Sequence, residues 1–432
     1  MMEPQEIPDE EYEQLIERVA AIDVAKANAK ICTRTPHESK PAQRQTRVWD
    51  VTATVNAIVE LGDHLRCQGI QKVTVESTGD YWRIWFYLLE AHGLDVQLVN
   101  ARDVKNLPGR PKTDKLDAVW LAKLTEKGML RPSFVPPQQI RILRDYTRMR
   151  SDLIAERTRH WQRVEKLLED ALIKMSSVVS TLTTPSARDM IEALIAGECD
   201  PRVLAELARG RMRSKIPALV EALTGRFDDH HAELARLLLN QIDTLDAAVG
   251  HLAARIEALI AELPVSDDSA IPAPDRLDEI PGINLNLARV IMAEIGLDMS
   301  RFPTADHLVS WAKLCPRTIQ SGATTRSAKA GRGNPYLKAA LGNAAAAASR
   351  TDTFLGERYR RIAKRRGRPK ALVAVARSIL VIVWHLLANP TSGFHDLGVD
   401  YHANRTDRDN KTRAHIRQLQ ALGFTVTLTP AA

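Results

Sequence analysis

Residues 17–32, ERVAAIDVAKANAKIC, alternate apolar and polar positions on either side of Lys26-Ala27-Asn28. That alternation predicts two strands joined by a tight turn. Its force comes from the elements downstream of it. A third short strand is expected near TRVWDVT, then a helix over 52–68 and a strand KVTVES ending in Glu76. A helix over 80–92 and a strand DVQLVN come next, and KTDKLDAVWLAKL begins another helix. Three strands in a meander followed by βα units leave few ways to build a sheet. A right-handed crossover puts the fourth strand parallel to the first.

This is the ribonuclease H-like order, and it places four acids. Asp23 is an ionised residue inside VAAIDVAK, where burial without a partner is costly. Glu76 ends the strand that the topology sets beside the first. Asp114 and Asp117 are three residues apart, on one face of a helix. Each acid alone has an ordinary explanation, and Asp114 as an acid favouring a helix N-terminus is a serious one. As a set they converge at the carboxyl edge of the sheet, where open α/β sheets bind ligands. All-oxygen ligands suit Mg²⁺ or Mn²⁺ better than zinc. Two such ions, about 4 Å apart, stabilise both the attacking and the leaving oxygen of a phosphodiester.

The middle of the chain is helical. Apolar residues recur every three or four positions from Ile140 to Leu172. In 234–263 they form a cleaner stripe: Leu234, Leu238, Ile242, Leu245, Val249, Leu252, Ile256, Leu259 and Leu263. That spacing fits a coiled-coil seam or an ordinary two-helix hairpin, and in either case a spacer or an oligomerisation arm. LPVSDDSAIPAPD reads as a linker. LDEIPGINLNLARVIMAEIG then fits either a helix-hairpin-helix, whose turn amides face a phosphate, or a capped helix pair. A polar, basic, Gly-containing loop, RTIQSGATTRSAKAGRGN, runs into an Ala-rich helix. In 358–370, RYRRIAKRRGRPK, eight residues are Lys or Arg, a density that favours contact with a phosphate backbone over a merely solvated face. The last forty residues are polar and carry no signal.

Composition sets outer limits. The 432 residues suffice for two or three domains, and 44% hydrophobic with 26% charged residues is ordinary for a globular protein. The longest apolar run, ALVAVARSILVIVWHLL, is interrupted by Arg377 and reads as a buried helix, with no membrane association expected. The acidic N-terminus has no secretory pattern. Cys32, Cys67, Cys199 and Cys315 are far apart, which argues against zinc and a disulfide framework and fits a reducing cytoplasm. The net charge of +7 hints at nucleic acid.

AIDVAK, VTVESTGDYW, LVNARDVKNLPGRPKTDKLDAVWLAKL and the later IPGI and RFPTADHLVSWAKLCPRTIQSGATTRSAKAGRGNPYLKAAL resemble the transposases of the IS110 group of insertion sequences. The resemblance covers roughly 18–175 and 275–390. It implies a RuvC-like domain whose carboxylate set falls on Asp23, Glu76, Asp114 and Asp117, holding Mg²⁺ or Mn²⁺. It also implies a second domain with a serine nucleophile at Ser321, a phosphoserine intermediate, and a non-coding bridge RNA that pairs with donor and target DNA. Homodimers or homotetramers acting at the nucleoid are the implied assembly. Gln320 stands where family members often carry a second serine, and Ser327 is a rival nucleophile. Arg317, Arg326, Lys329 and Arg332 surround Ser321 in sequence and suit a phosphorane's charge. Arg365, Arg366 and Arg368 are the expected nucleic-acid contacts of the basic stretch.

The expected architecture is an α/β ribonuclease H-like domain (1–138), a helical coiled-coil arm (139–265), a mostly helical serine-containing domain (266–390) and a tail (391–432). Two alternatives stand beside a recombinase. One is a two-metal nuclease without a covalent intermediate, and the other is a non-enzymatic nucleic-acid-binding oligomer.

Overall fold

The structure, a computed structural model, describes residues 16–37, 39–77, 79–101, 114–263, 271–315, 317–321, 324–328, 331–401 and 408–428. The chain divides into two compact units, the first reaching Val135 and the second beginning at Pro136.

The first unit runs β1 (Val19–Val24), β2 (Asn28–His37), β3 (Lys40–Thr52), α1 (Val55–Cys67), β4 (Lys72–Ser77), α2 (Trp82–Ala91), β5 (Val96–Asn100) and α3 (Asp114–Glu126). Its five-stranded sheet has the order β3-β2-β1-β4-β5. β1 is antiparallel to β2 and parallel to β4, and β4 is parallel to β5. The central strand explains its own sequence. Val19, Ala20, Ala21 and Ile22 are all buried, because both faces of the sheet are covered. α1 and α2 close over Ala20, Ile22, Val73 and Val75, with Trp85 wholly buried among them. α3 closes over Val19, Ala21 and Val99 with Ala118, Leu121 and Ala122. Each large apolar side chain so buried contributes about 1.5–3 kcal/mol. Cys32 belongs to the α3 side, and burial pushes its thiol up to about 12, against weaker opposite pulls from Arg34 and Lys123. It is a small packing residue with an inert thiol.

One strand differs from expectation. β3 has 13 residues and β2 has 10, so their hairpin extends well past the apolar alternation. The extension pairs Thr35 with Gln45 and Pro36 with Arg44. Backbone pairing and the contacts of Arg44 with Glu126 and Glu17 O hold it, with Thr35, Pro36, Arg44 and Gln45 half-buried, so hydrophobic periodicity could not reveal it. Its basic residues suit an edge strand, where charge discourages pairing with other chains.

The second unit is built on two 33-residue helices, α4 (Gln138–Asp170) and α9 (Asp229–Ala261). They are antiparallel: Leu143 clusters with Ile256, Arg157 is ion-paired with Asp246, and Asp170 meets His231 at 3.3 Å. Each is about 50 Å long. Between them lie α5 (Met175–Val178), α6 (Pro185–Ile195), α7 (Pro201–Glu206), a short 3₁₀ turn and α8 (Ile216–Leu223). These cap the tip around Met175, Met190, Ile191 and Leu204, with Leu168 from α4 and Leu239 from α9. Of the predicted stripe, Ile242, Val249 and Ile256 are buried, but Leu234 is exposed and Ala235 and Leu239 are buried instead. The stripe turns because the start of α9 packs into the helical cap. The seam is therefore used inside the chain, as a hairpin.

There follow α10 (Ala273–Asp278), α11 (Leu285–Ile295), α12 (Ala305–Trp311), β6 (Arg317–Ser321), β7 (Thr324–Ala328), α13 (Pro335–Ala348), α14 (Phe354–Arg366), α15 (Arg368–Ala388) and α16 (Arg408–Ala421). α15 is long and apolar enough to cross a membrane. In the fold it packs against α10, α12, α13 and α14, burying Val375, Ile379, Leu380 and Val383. The Ala-rich α13 buries Ala340, Ala344, Ala345 and Ala348, small residues that let a neighbouring backbone come close. That neighbour is Gly282, at φ +91, where an added Cβ would lie 2.2 Å from Ala344 O. The Pro-Gly turn thus serves helix packing.

Glu294 on α11 is wholly buried. Arg148 on α4 grips it with Nε and Nη2 at 2.7 and 2.8 Å, and Asn334, the N-cap of α13, also donates to it. One acid thereby ties three helices together. Burial of such a pair is tolerated because its hydrogen bonds are made.

Gly282→Ala is expected to lower stability by about 2–4 kcal/mol, from the left-handed backbone and from overpacking. Denaturant unfolding of the full chain measures it, and a change below about 1 kcal/mol would mean that α13 yields to the added methyl.

Candidate active site

The pairing of β1 with β4 sets Asp23 directly opposite Glu76. Adjacent strands are about 4.8 Å apart, so two carboxylates leave the sheet side by side. Strand alternation puts them on the same face. Asp23 follows Val19 and Ala21, which pack on α3. Glu76 follows Thr74, whose Oγ1 lies 2.7 Å from the Thr125 hydroxyl of α3. Glu76 is nearly buried at 5% exposure, and Asp23 is half-buried. On the other side of β1, Lys30 stands opposite Asp23, its ammonium 2.8 Å from Asp50.

The direction of α3 is set by its C-terminus. The N–H of Ile16 donates to Glu126 O at 2.9 Å, and Arg34, level with Val19, binds the Glu126 carboxylate at 2.8 Å. The helix therefore ends at the amino end of β1 and begins at its carboxyl end. From Glu126 back to Asp117 it rises about 13.5 Å, while β1 rises about 13 Å from Val19 to Asp23. Asp117 thus arrives within about one turn of the level of Asp23, and is half-buried. Asp114 is the first residue of α3, one turn further on. Asp23 and Glu76 stand side by side, and α3 begins toward the same edge of the sheet, on the face it covers.

The donor set fits a hard divalent cation. Every member is a carboxylate, and two of them are held at adjacent backbone positions, where like charges resist joint ionisation unless a cation stands between them.

A second cluster, Asp170, His230 and His231, brings ligand atoms within 4.8 Å of one another at the tip of the long hairpin. Its chemistry suits structure better than metal. His231 Nδ1 accepts the Asp228 N–H at 3.1 Å in the capping box of α9. Nε2 must then carry the ring proton and donate it to Asp170. A ligating histidine normally donates its other ring N–H to a partner, and here that nitrogen is an acceptor. The adjacent histidines in FDDHH are the sequence signal for this cluster.

The expected serine loop is a two-stranded hairpin. Ser321 ends β6, paired with Thr324, while Ser327 pairs with Thr318, Arg326 with Ile319 and Arg317 with Ala328. Thr, Ser and Arg dominate there with hardly an apolar residue, so no burial pattern announced the strands. Lys329 lies outside the described residues, and Arg332 is exposed between the hairpin and α13. The hairpin's descending arm is anchored at Gly333, where a Cβ would lie 2.5 Å from Ala312 O, and by Asn334 on Glu294.

Arg365, Arg366 and Arg368 are exposed. Arg365 and Arg366 close α14, where cations complement the helix dipole. Arg368 opens α15, where the dipole disfavours a cation. Helix stability therefore explains the first two and not the third.

Two family models match. A transposase model of the DEDD type in IS110 elements matches residues 20–173, and a transposase model of the IS116/IS110/IS902 family matches 275–360. The 43.6 kDa protein of insertion element IS110 from Streptomyces coelicolor is 28% identical over 298 residues, 66% of this chain and 72% of its own. A protein of the same organism, named for transposition of the IS117 mini-circle, is 29% identical over 234 residues, 49% of this chain and 55% of its own.

Mn²⁺ at about a hundredfold excess over its dissociation constant is expected to stabilise the protein by about 2.7 kcal/mol. Asp23→Asn should remove that gain while keeping the circular dichroism of the parent. A melting scan with Mn²⁺ and with EDTA reads both, and an equal gain in the variant would place the ion elsewhere.

Proposed function

The chain belongs to the IS110 family of transposases, and from that premise we propose that it cuts and rejoins DNA with a carboxylate-held metal and a serine nucleophile, guided by a bridge RNA. The observation that supports this most is the register of Asp23 opposite Glu76 beneath the start of α3. In this reading Asp23, Glu76, Asp114 and Asp117 hold Mg²⁺ or Mn²⁺ in a RuvC-like, ribonuclease H-like domain. Such a cation, when bound, supplies Lewis acidity to phosphoryl oxygens.

The chain's own residues do the rest. Ser321 Oγ forms a bond to phosphorus as one phosphorus–oxygen bond to a DNA sugar breaks. The serine proton leaves with the departing sugar oxygen, which becomes a hydroxyl. The phosphoserine keeps the ester bond, so a second sugar hydroxyl can reverse the exchange and rejoin the strand. Arg317, Arg326, Lys329 and Arg332 offset the phosphorane charge. Arg365, Arg366 and Arg368 hold backbone phosphates without reading bases, while base pairing by the RNA selects the site. Ser321 belongs to one unit and the carboxylates to the other, so cutting depends on both being engaged on one phosphate. A homodimer or homotetramer loaded with RNA and DNA is the proposed active form.

Asp117→Asn should retain nucleic-acid binding and lose strand cleavage by at least ~100-fold, the scale of a lost electrostatic catalyst. Ser321→Ala should abolish the covalent protein–DNA species on denaturing gels with labelled DNA, RNA and Mg²⁺. Loss in Ser327→Ala alone would move the role to Ser327. Cleavage without adduct in the parent protein would leave a two-metal nuclease.

Neutralising Arg365, Arg366 and Arg368 together should weaken binding to all sequences alike. It should also flatten the dependence of log K on log salt by about 2–3. Anisotropy titrations across salt measure this, and a loss confined to one sequence would contradict backbone contact.

A further inference from the structure

Along α15, between α12 and α14, runs a cleft of 660 Å³. Arg358 of α14 and Arg377 of α15 line it, with Asp306 as the acid of the lining. Arg377 Nη2 lies 2.9 Å from Asp306, yet the Nε atoms of both Arg358 and Arg377 are buried without a hydrogen-bond partner. Leaving a buried donor unpaired costs about 1–3 kcal/mol; the Nε atoms of Arg44, Arg150 and Arg289 are unpaired too, and what sets Arg358 and Arg377 apart is that both line one cleft. Burial, then Arg361 and Arg377, all push the Arg358 guanidinium's pKa down. Positive charge has been concentrated here beyond what one aspartate balances.

A second cleft of 400 Å³ shares Phe354, Ile382 and His385 with the first, and Phe394 and Leu397 help line it. The two clefts thus adjoin at these three residues: the first is cationic, and the second is largely apolar and aromatic, with His395 and Asp396 also in its lining. Anionic oxygens fit the first through charge-assisted bonds to guanidinium. A flat heteroaromatic ring fits the second, where stacking contributes about 1–3 kcal/mol per base. A base paired within a duplex cannot reach such a cavity without leaving its stack. We propose that these adjoining clefts take one unpaired nucleotide of a single-stranded nucleic acid, its phosphate on Arg358 and Arg377 and its base against Phe354 and His385. The inference rests on the nucleic-acid reading above but not on the carboxylate or serine chemistry.

The test uses the full chain in EDTA, so that no cutting is required. Anisotropy is read with a labelled 12-mer (a length of about one OB-type site) as single-stranded DNA, as single-stranded RNA, and as matched duplex. Arg358→Gln is expected to weaken single-strand binding about tenfold and duplex binding less than about twofold. Arg377→Gln, which removes the other guanidinium of the cleft and its ion pair with Asp306, repeats the measurement should the first variant misfold. Photo-crosslinking of a 5-iodouracil-bearing strand should mark peptides containing Phe354 or His385. Equal losses for single strand and duplex, or none, would overturn the proposal. So would displacement of the 12-mer by an equimolar free mononucleotide, which would make the ligand a free nucleotide. Retained selective binding in a protein that cuts no DNA would separate this inference from the catalytic one.

Discussion

The parallel pairing of β1 with β4 is the constraint on which the first unit depends. It requires a crossover, which α1 supplies, and it leaves β1 buried on both faces. Only a strand as uniformly small and apolar as VAAI fits beneath helices on both sides. The same pairing makes neighbours of two acids 53 positions apart, Asp23 and Glu76. Structure and site therefore share one register. A slip of one residue would turn Asp23 to the opposite face and send the buried stripe with it.

The second unit depends on a different kind of contact. Glu294 is an acid fully withdrawn from water, and two arginines of α4 and the cap of α13 converge on it. Such a site contributes direction more than net stability, since desolvation offsets much of the attraction. Its value lies in specifying one arrangement: the base of the long hairpin, the helix after the Pro-Gly turn, and the helix after the serine hairpin are fixed to the same carboxylate.

Much of the first unit was legible in the sequence, because most of its elements carry a burial pattern. Strand order placed Asp23 and Glu76 on adjacent strands, and KTDKLDAVWLAKL marked the start of α3 as a helix. What was not legible lacked an apolar pattern. The far half of the β2–β3 hairpin and the whole β6–β7 hairpin are polar ladders held by backbone hydrogen bonds. The stripe on α9 was misassigned at one end, since a helix can bury different faces against different neighbours, and Leu234 yielded to Ala235 where the cap begins. Glu294 could have been noticed as the one acid within LNLARVIMAEI. Its partners could not, because Arg148 is 146 residues away.

The long hairpin has a consequence for how such a chain can vary. Its two helices begin and end at the base, so everything from 171 to 228 is strung between their far ends. The stretch 174–274, which holds this tip, lies between the two regions matched by the family models. Residues can be gained or lost at a tip without altering the spacing of the helices at the base, about 50 Å away. Chain length and catalytic geometry are thereby uncoupled, and the tip is the part of the molecule freest to acquire a lineage's own contacts.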